Sequence, residues 1–428
     1  MYKSLSALFT PLILALFMVP AFGQDDHQGE GHAAEENHEG YDPVSTVMEH
    51  ISDANEFHVW EGVHIPLPVM VYATGPEGHE GWSTFMSSKF DHGHKAVDGY
   101  VLNHGRVNRV ADPSFPMEGE VEIGHIVSHE EETAEGKTET RYYVEYDGQE
   151  YLLHPPSTLD GGFLGGGLTS FYDFSITKVV FSMMLAGLLL VLLFFAVRRG
   201  YQRNEGHAPS GIQSFMEPFF VFIREEVTVP MIGKKHYERF QPFIMTLFFF
   251  VLFCNLLGLI PFFPGSANIT GNLAVTLVLA VFTFIVTNIN GNAHYWQHVF
   301  WMPGIPAWVK IILTPVEILS LFIKPFSLMI RLFANITAGH IIILSLIGLI
   351  FLFGNNGESI GGAAVGGLVG MLFTAFMNLI ELLVAFLQAF IFAILSASYI
   401  GAAVEEGHHG EAHDHEVEAA QQAGTSAV

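Results

Sequence analysis

The stretch KPFSLMIRLFANITAGHIIILSLIGLIFLF, from Lys324 to Phe353, places Arg331 and His340 inside an otherwise apolar run. About 20 consecutive apolar residues suffice for a helix to cross the hydrocarbon core of a bilayer. An arginine at the centre of such a helix costs about 2.5 to 3.5 kcal/mol on insertion scales, so an intramembrane charge marks a functional site. The stretch therefore predicts a transmembrane helix that carries functional ionisable residues.

Two long apolar stretches, Pro315–Phe353 and Gly361–Ala403, are separated by the turn-like GNNGES. At about 1.5 Å per residue the second would be about 60 Å long as one helix, roughly twice the hydrocarbon thickness. Spanning helices tilt by only about 20° on average, so a helix of this length must incline steeply, bend or protrude. We predict a long, steeply tilted helix hairpin that wraps another component of the membrane.

Three shorter apolar segments precede this hairpin, at Phe181–Val197, Pro242–Phe263 and Asn272–Asn290. The block Arg198–Gln241 contains seven of the 18 Lys and Arg residues, and the positive-inside rule therefore predicts that it is cytoplasmic. The predicted fold class is an all-α polytopic membrane protein with about five transmembrane helices. Its acidic and His-rich tail, residues 407–428, would be cytoplasmic.

The first 23 residues, MYKSLSALFTPLILALFMVPAFG, combine one lysine, an apolar stretch and small residues at Ala21 and Gly23. This pattern is typical of a secretory signal peptide. An uncleaved first helix is the alternative, and it gives the same topology. Both interpretations predict that residues 24–170 form an extracytoplasmic extension and that residues 171–406 form the membrane domain.

The extension opens with the acidic, His-rich run DDHQGEGHAAEENHEG and continues with segments such as HIPLPVMVYAT and TRYYVEYDGQEYLLHP. The later segments favour β-branched and aromatic residues between turn residues, which predicts a small strand-rich domain. GGFLGGGLTS, Gly161 to Ser170, lacks the GK[ST] of a phosphate loop and predicts a flexible joint. The histidines of the domain show no recurring ligand spacing, which favours a solvated acidic surface over a metal site; they include His92, His94, His104, His125 and His129.

Composition excludes several functions. A net charge of −25 is far too acidic for a nucleic-acid binder. The single cysteine, Cys254, excludes an intramolecular disulfide and a thiolate cluster. There is no Walker A glycine loop in the sequence. We expect no catalytic residue, no cofactor and no resident metal.

Polar residues form a stripe along the first helix of the predicted hairpin. Glu317, Lys324 and Arg331 are spaced by seven and fall within about 40° of one another on a helix. Ser327 and Asn335 lie one turn to either side of Arg331 and continue the stripe.

His340 points elsewhere, because it lies near the opposite side of the helix and about 13.5 Å beyond Arg331. In the second helix Glu381 and Gln388 are seven residues apart on one face, with Tyr399 roughly in line. Each polar residue also has a purely structural interpretation. Lys324 and Glu317 would anchor a helix start near the headgroups. The side chains of Asn335, Gln388 and Ser327 would form hydrogen bonds between helices. His340 and Glu381 would be a buried pair.

KPFSLMIRLFANITAGHIIILSLIG followed by LLVAFLQAFIFAILSASYIGAA resembles subunit a of the F-type ATP synthase, over roughly residues 175 to 406. FCNLLGLIP and GNLAVTLVLA extend the resemblance, whereas the extracytoplasmic extension is not covered. The family implies a noncatalytic stator subunit that forms two proton half-channels beside a rotating c-ring. It also implies the b stalk and the rest of the synthase as partners, and a bacterial inner membrane. The signal-peptide pattern then predicts that the N-terminal domain is periplasmic.

The resemblance assigns proton translocation to Arg331, His340, Glu381, Gln388, Asn335, Ser327 and Glu317. Arg331 matches the arginine that faces the carboxylate of each passing c subunit. His340 and Glu381 match a linked pair in the outer half-channel, exchanged relative to many bacterial members. The other four match the polar lining, and Gln388 is expected beside Arg331. Gly258 replaces an aspartate that is frequent in bacterial members.

Two other interpretations remain open at the level of sequence. One is a self-contained secondary transporter or channel, although no paired inverted repeats or matching broken helices are found. The other is a membrane-anchored periplasmic metal-binding protein, in which the His-rich extension is the functional part.

Overall fold

The structure is a computed structural model that describes residues 52–60, 63–73, 80–132, 138–155, 170–260, 263, 265, 267–302, 305–354 and 359–405. The predicted signal peptide, the acidic run after it, residues 161–169 of the predicted joint and the tail 407–428 lie outside these ranges.

The N-terminal domain is rich in strands, as the sequence predicts. Its described strands are β1 Glu56–Trp60, β2 Val63–Pro66, β3 Pro68–Ala73, β4 Gly81–Met86, β5 Lys95–Val97, β6 Tyr100–Asn103, β7 Arg106–Arg109, β8 Glu120–Glu122, β9 Ile126–Glu132, β10 Thr138–Tyr146, β11 Gln149–Leu152 and β12 Phe171–Asp173. A 3-10 helix, Ser87–Gly93, joins β4 to β5. The strands pair in the orders β1-β2, β11-β10-β9, β12-β3-β4 and β7-β6-β5-β8.

Alternating side chains build the core of this domain. In β3, Val69, Val71 and Ala73 are buried, whereas the side chains between them are more accessible. This period of two is what a strand with one face on a core requires. Phe90 and Tyr100 pack with the β3 valines in one apolar cluster.

Strand β12 links the N-terminal domain to the helices. It pairs with β3, with Phe171 opposite Ala73, so the sheet includes residues just beyond Ser170. The chain then enters helix α1, Lys178–Arg203, whose first turn is capped by the side chain of Thr177. The Asp53 carboxylate accepts a hydrogen bond from the Val179 amide at 3.1 Å, and such a contact satisfies a donor that a helix start leaves unpaired.

The helical part continues with α2 Ile212–Phe222, a π-helical segment Ile223–Thr228, α3 Val229–Ile232, α4 Tyr237–Gly258, α5 Leu273–Ile289, α6 Ala293–Trp301, α7 Ala307–Phe353 and α8 Ile360–Val404. In the described residues, α1, α4, α7 and α8 are long and apolar enough to cross a membrane. Helices α5 and α6 meet at 105°, and they make a fifth candidate if they are counted as one bent span. The chain is therefore a polytopic membrane protein, with four to five candidate spans in the described ranges.

Helices α7 and α8 form the predicted long hairpin. They contain 47 and 45 residues, which at about 1.5 Å per residue makes each roughly 70 Å long. Glycines spaced by four let the helices approach closely: a Cβ on Gly366 would lie 2.7 Å from the Leu349 carbonyl oxygen, and one on Gly370 2.8 Å from that of Leu346. Small residues at this spacing are a common device for packing helices in lipid.

Helix α4 is the centre of the helical domain. In its apolar window 72% of the residues are buried, against 28% in α1 and 11% in α7. Phe248, Phe249 and Val251 of α4 belong to one apolar cluster with residues from α1, α7 and α8. Because α7 is the least buried span, it presents the most surface to lipid or to another chain.

Candidate functional site

The structure brings His340 of α7 and Glu381 of α8 together. The Nδ1 atom of His340 lies 3.8 Å from Oε1 of Glu381, and the two side chains are 19% and 5% exposed. The separation exceeds a direct hydrogen bond but suits one bridging water molecule. Neither carboxylate oxygen of Glu381 has a hydrogen-bond partner among the residues that the structure describes. A buried carboxylate normally has such a partner, so Glu381 has unused acceptor capacity among the described residues.

Two glycines make room for this pair. A Cβ on Gly339 would lie 2.8 Å from Oε1 of Glu381, so only glycine allows the carboxylate this close to α7. A Cβ on Gly258, the last residue of α4, would lie 3.7 Å from Nε2 of His340. Gly258, where many bacterial members have aspartate, thus lies directly beside the imidazole.

A neutral hydrogen-bonded frame surrounds the pair. The Asn255 amide nitrogen donates to the Ala385 carbonyl at 3.0 Å, and its oxygen accepts from the Thr270 hydroxyl at 2.6 Å. The Thr337 hydroxyl donates to the Gly271 carbonyl at 3.4 Å. These bonds join α4, α7, α8 and the turn before α5. The helical spacing around Arg331 does not identify Asn255 and Thr270, because they lie on other elements, although FCNLLGLIP already contains Asn255.

Arg331 lies on a different face of α7. It is half-buried, and the exposed positions one turn to either side are Ser327 and Asn335. Ala334 and Ala338 are also exposed, so the surface around the guanidinium consists of small residues. Within the described ranges no carboxylate forms an ion pair with Arg331. A cation in this position needs an anionic partner. Another chain could therefore supply the anionic group that pairs with Arg331.

A second polar region lies toward the other end of α7. Its centre is Tyr399 of α8, whose ring centroid is 5.8 Å from the Lys324 ammonium and whose hydroxyl is within electrostatic range of Arg331. Glu317 is within electrostatic range of Tyr295 in α6. The crevice between α5, α6, α7 and α8 is lined by the polar side chains of Thr283, Thr287, Asn288, Tyr295, Lys324 and Tyr399 together with the apolar side chains of Phe284, Leu321, Pro325 and Ala402.

Arg331 separates the two polar regions along the hairpin. Lys324 and His340 are about 24 Å apart along α7, and Arg331 lies between them. Gln388 is buried on α8, but no hydrogen bond joins it to Arg331 in the described part of the chain. Its position beside Arg331 therefore stays a prediction.

Comparisons with known proteins relate both parts of the chain to sequence families. The sequence pattern of the family described as ATP synthase A chain matches residues 180–401, and that of a domain of unknown function matches residues 46–154. ATP synthase subunit a of Chloroherpeton thalassium is 43% identical over 282 residues, covering 63% of this chain and 78% of that protein. The subunit a of Myxococcus xanthus is 41% identical over 268 residues, covering 61% and 84%.

ATP synthase subunit a 2 of Chlorobaculum tepidum is 44% identical over 255 residues, which are 58% of this chain and 68% of that protein. The family pattern covers more than half of the chain, from the first turn of α1 to the last turn of α8. The chain therefore belongs to the ATP synthase A chain family, the family of subunit a of ATP synthase.

Proposed function

We propose that this chain is the noncatalytic stator subunit a of an F-type ATP synthase, and that it conducts protons to and from a carboxylate on a c-ring. The observation that carries the proposal is the position of Arg331, on an accessible face of small residues between two separate polar regions. A self-contained transporter would need a substrate site within the chain, whereas this geometry favours a site completed by another protein.

Arg331 acts as the barrier between the two half-channels. A guanidinium does not lose its proton, so it cannot pass protons itself. It favours the ionised form of a carboxylate that comes near it, which makes the rotor release its proton before passing the stator. Ala334 and Ala338 let the backbone of a ring helix approach closely enough for this contact.

His340 and Glu381 serve the outer half-channel. An imidazole and a carboxylate separated by 3.8 Å transfer protons through one water molecule. The Asn255 and Thr270 side chains hold the backbone of α4 and of the following turn against α8, which keeps this path in position.

The crevice beside Tyr399 serves the inner half-channel, with Glu317 and Lys324 near its polar lining. Ser327, Asn335 and Gln388 complete the polar path toward Arg331. Neutral polar side chains of this kind lower the barrier to a proton by solvating it.

Packing supports the proposed orientation in a bacterial inner membrane. The end of α8 contacts the basic block, because a Cβ on Gly401 would clash with the Met231 carbonyl. The Asn292 side chain donates to the Val404 carbonyl at 2.8 Å, which places the start of α6 at the same end. The positive-inside rule makes this end cytoplasmic and the strand-rich domain periplasmic. The c-ring and the b stalk are the partners that the proposal requires.

Replacement of Arg331 by alanine tests the proposal. We expect Arg331→Ala to abolish ATP-driven proton pumping in inverted membrane vesicles, because the rotor carboxylate loses its cationic partner. Co-purification of the c-ring with the variant controls for assembly, and Lys234→Ala, which removes an exposed cation between α3 and α4, controls for loss of one charge. Near-normal pumping by the Arg331 variant would overturn the assignment.

A further inference from the structure

Three potential metal ligands meet in the N-terminal domain. Glu56 lies on β1, His64 on β2 and His92 at the end of the 3-10 helix. Nδ1 of His64 is 3.2 Å from Oε1 of Glu56, and Nδ1 of His92 is 3.7 Å from Oε2 of the same carboxylate. One ligand atom from each residue lies within 4.8 Å of the other two.

We propose that Glu56, His64 and His92 bind a divalent transition-metal ion, with Zn²⁺ as the best match. Two imidazoles and one carboxylate are a donor set that zinc accepts, with water as the fourth ligand of a tetrahedron. Zn–N and Zn–O bonds of about 2.1 Å place tetrahedral ligand atoms about 3.4 Å apart. The present atoms therefore need to approach one another by at most about 1.4 Å.

The backbone presents the ligands to one point. In the antiparallel pair of β1 and β2, Glu56 is opposite Pro66, and residues two apart on a strand share a face, so His64 is on the face of Glu56. His92 reaches this face because Asp91 and His92 both adopt left-handed conformations, with φ of 47° and 57°. Residues with a Cβ rarely adopt this conformation, and such outliers concentrate at binding sites.

The cluster differs from an ordinary surface ion pair. Glu56 and His64 are only 16% and 19% exposed, whereas His92 is 50% exposed and has room to close over an ion. The two imidazole rings lie 4.1 Å apart, so both are close enough to reach one ion. Asp91 is paired with Lys95 at 3.4 Å, so it remains outside the donor set.

The same domain contains a matched control. His129 contacts Glu150 at 3.0 Å, but both side chains are about half exposed, and no second histidine joins them in the described ranges. This pair has the chemistry of one imidazole and one carboxylate without the third ligand. It should therefore bind Zn²⁺ far more weakly.

Protection from chemical modification tests the site in the purified full-length chain. The sequence also contains histidine-rich segments, and tracts of this composition often bind metals, so a residue-resolved measurement is needed. We expect micromolar Zn²⁺ to protect His64 and His92 from carbethoxylation by diethyl pyrocarbonate, as read by peptide mass spectrometry, while His129 stays reactive. Glu56→Gln should remove the protection of both histidines.

Metal counting provides the second measurement. In equilibrium dialysis, the variant His92→Asn, which changes a half-exposed residue, should bind one Zn²⁺ fewer than the unmodified chain. The variant His129→Asn should bind the same number as the unmodified chain. Equal carbethoxylation of His64 and His92 with and without Zn²⁺ would overturn the proposal. So would an unchanged Zn²⁺ count in His92→Asn. Neither measurement depends on proton pumping, so the site and the stator function are tested separately.

Discussion

At the scale of single residues, Gly339 determines how closely Glu381 approaches α7. We expect Gly339→Ala to slow ATP-driven proton pumping severalfold, because its methyl group would lie 2.8 Å from Oε1 and would displace the carboxylate from His340. Fluorescence quenching in inverted vesicles measures the rate. Gly361→Ala adds the same methyl group where no atom lies within 4 Å, and it should leave the rate unchanged.

A companion variant makes this prediction sharper. Combining Gly339→Ala with Glu381→Asp shortens the acid by one methylene and should recover part of the lost rate if the defect is steric. A Gly339→Ala variant that pumps at the normal rate would show that the close approach is unimportant for proton flow.

Two aspartates of the N-terminal domain should respond to pH in opposite directions. Asp112 and Asp173 both accept a hydrogen bond from the backbone amide of the serine two residues later. The bonds from Ser114 lower the pKa of exposed Asp112, whereas burial raises the pKa of Asp173 despite its bonds from Ser175. An identical local motif therefore gives opposite shifts, because burial outweighs the hydrogen bonds only at Asp173.

The sign of each pH dependence follows from proton linkage. The pKa of Asp173 is raised in the folded state, so its contribution to the free energy of unfolding falls as pH rises from about 4 through that pKa. The pKa of Asp112 is lowered, so its contribution falls as pH drops below about 4. We expect Asp173→Asn to remove the loss of stability at rising pH. Asp112→Asn should remove the loss of stability at falling pH. Urea unfolding of the full-length chain at several pH values, followed by tryptophan fluorescence, measures both. The same slope in Asp173→Asn and in the unmodified chain would contradict the assignment.

At the scale of elements, glycine spacing fixes the hairpin of α7 and α8. We expect Gly366→Val to destabilise the chain by about 1 to 3 kcal/mol, because its side chain would meet the Leu349 carbonyl and force the helices apart. Thermal unfolding in detergent measures the change. Gly361→Val is the matched control, and equal melting temperatures for the two variants would contradict this role for Gly366.

Hydrophobic length predicts the helices well and the starts of α5 and α8 to within one residue, but it places the starts of α1, α4 and α7 too late. The predicted span beginning at Pro315 ends correctly at Phe353, whereas α7 begins at Ala307 and has Pro315 and Pro325 inside it. Proline breaks helices in water, but neighbouring helices and local adjustments tolerate it inside membrane helices. The span predicted from Phe181 begins earlier, at Lys178, because the Asp53 contact that supports its start comes from a residue distant in sequence.

At the scale of the whole molecule, sequence spacing identifies functional residues that lie on one helix. It does not identify sites that are formed by residues from several elements. The spacing of seven identifies Glu317, Lys324 and Arg331 because all three belong to α7. The cluster of Glu56, His64 and His92 comes from three elements whose pairing no local pattern encodes. Likewise, β12 pairs with β3 across most of the N-terminal domain, so the strands are predictable but their order is not.

The N-terminal domain and the helices are joined through Phe57. Its ring contacts Phe181 of α1 and Phe263 of the turn after α4 edge-on, at centroid distances of 5.5 and 5.3 Å. Next to these rings, the Lys178 amide donates to the Ala54 carbonyl at 2.8 Å. Removing a fully buried phenylalanine side chain costs about 3 to 5 kcal/mol, which is enough to loosen this junction.

We expect Phe57→Ala to accelerate hydrogen exchange of the Lys178 and Val179 amides, because their acceptors Ala54 and Asp53 lie just before Phe57 in the chain. Exchange followed by mass spectrometry of peptides from the start of α1 measures the effect. Phe85→Ala removes a ring that packs on Phe90 inside the N-terminal domain, so it should leave these amides protected. Equal exchange at the start of α1 in both variants would mean that Phe57 does not hold the two parts of the protein together.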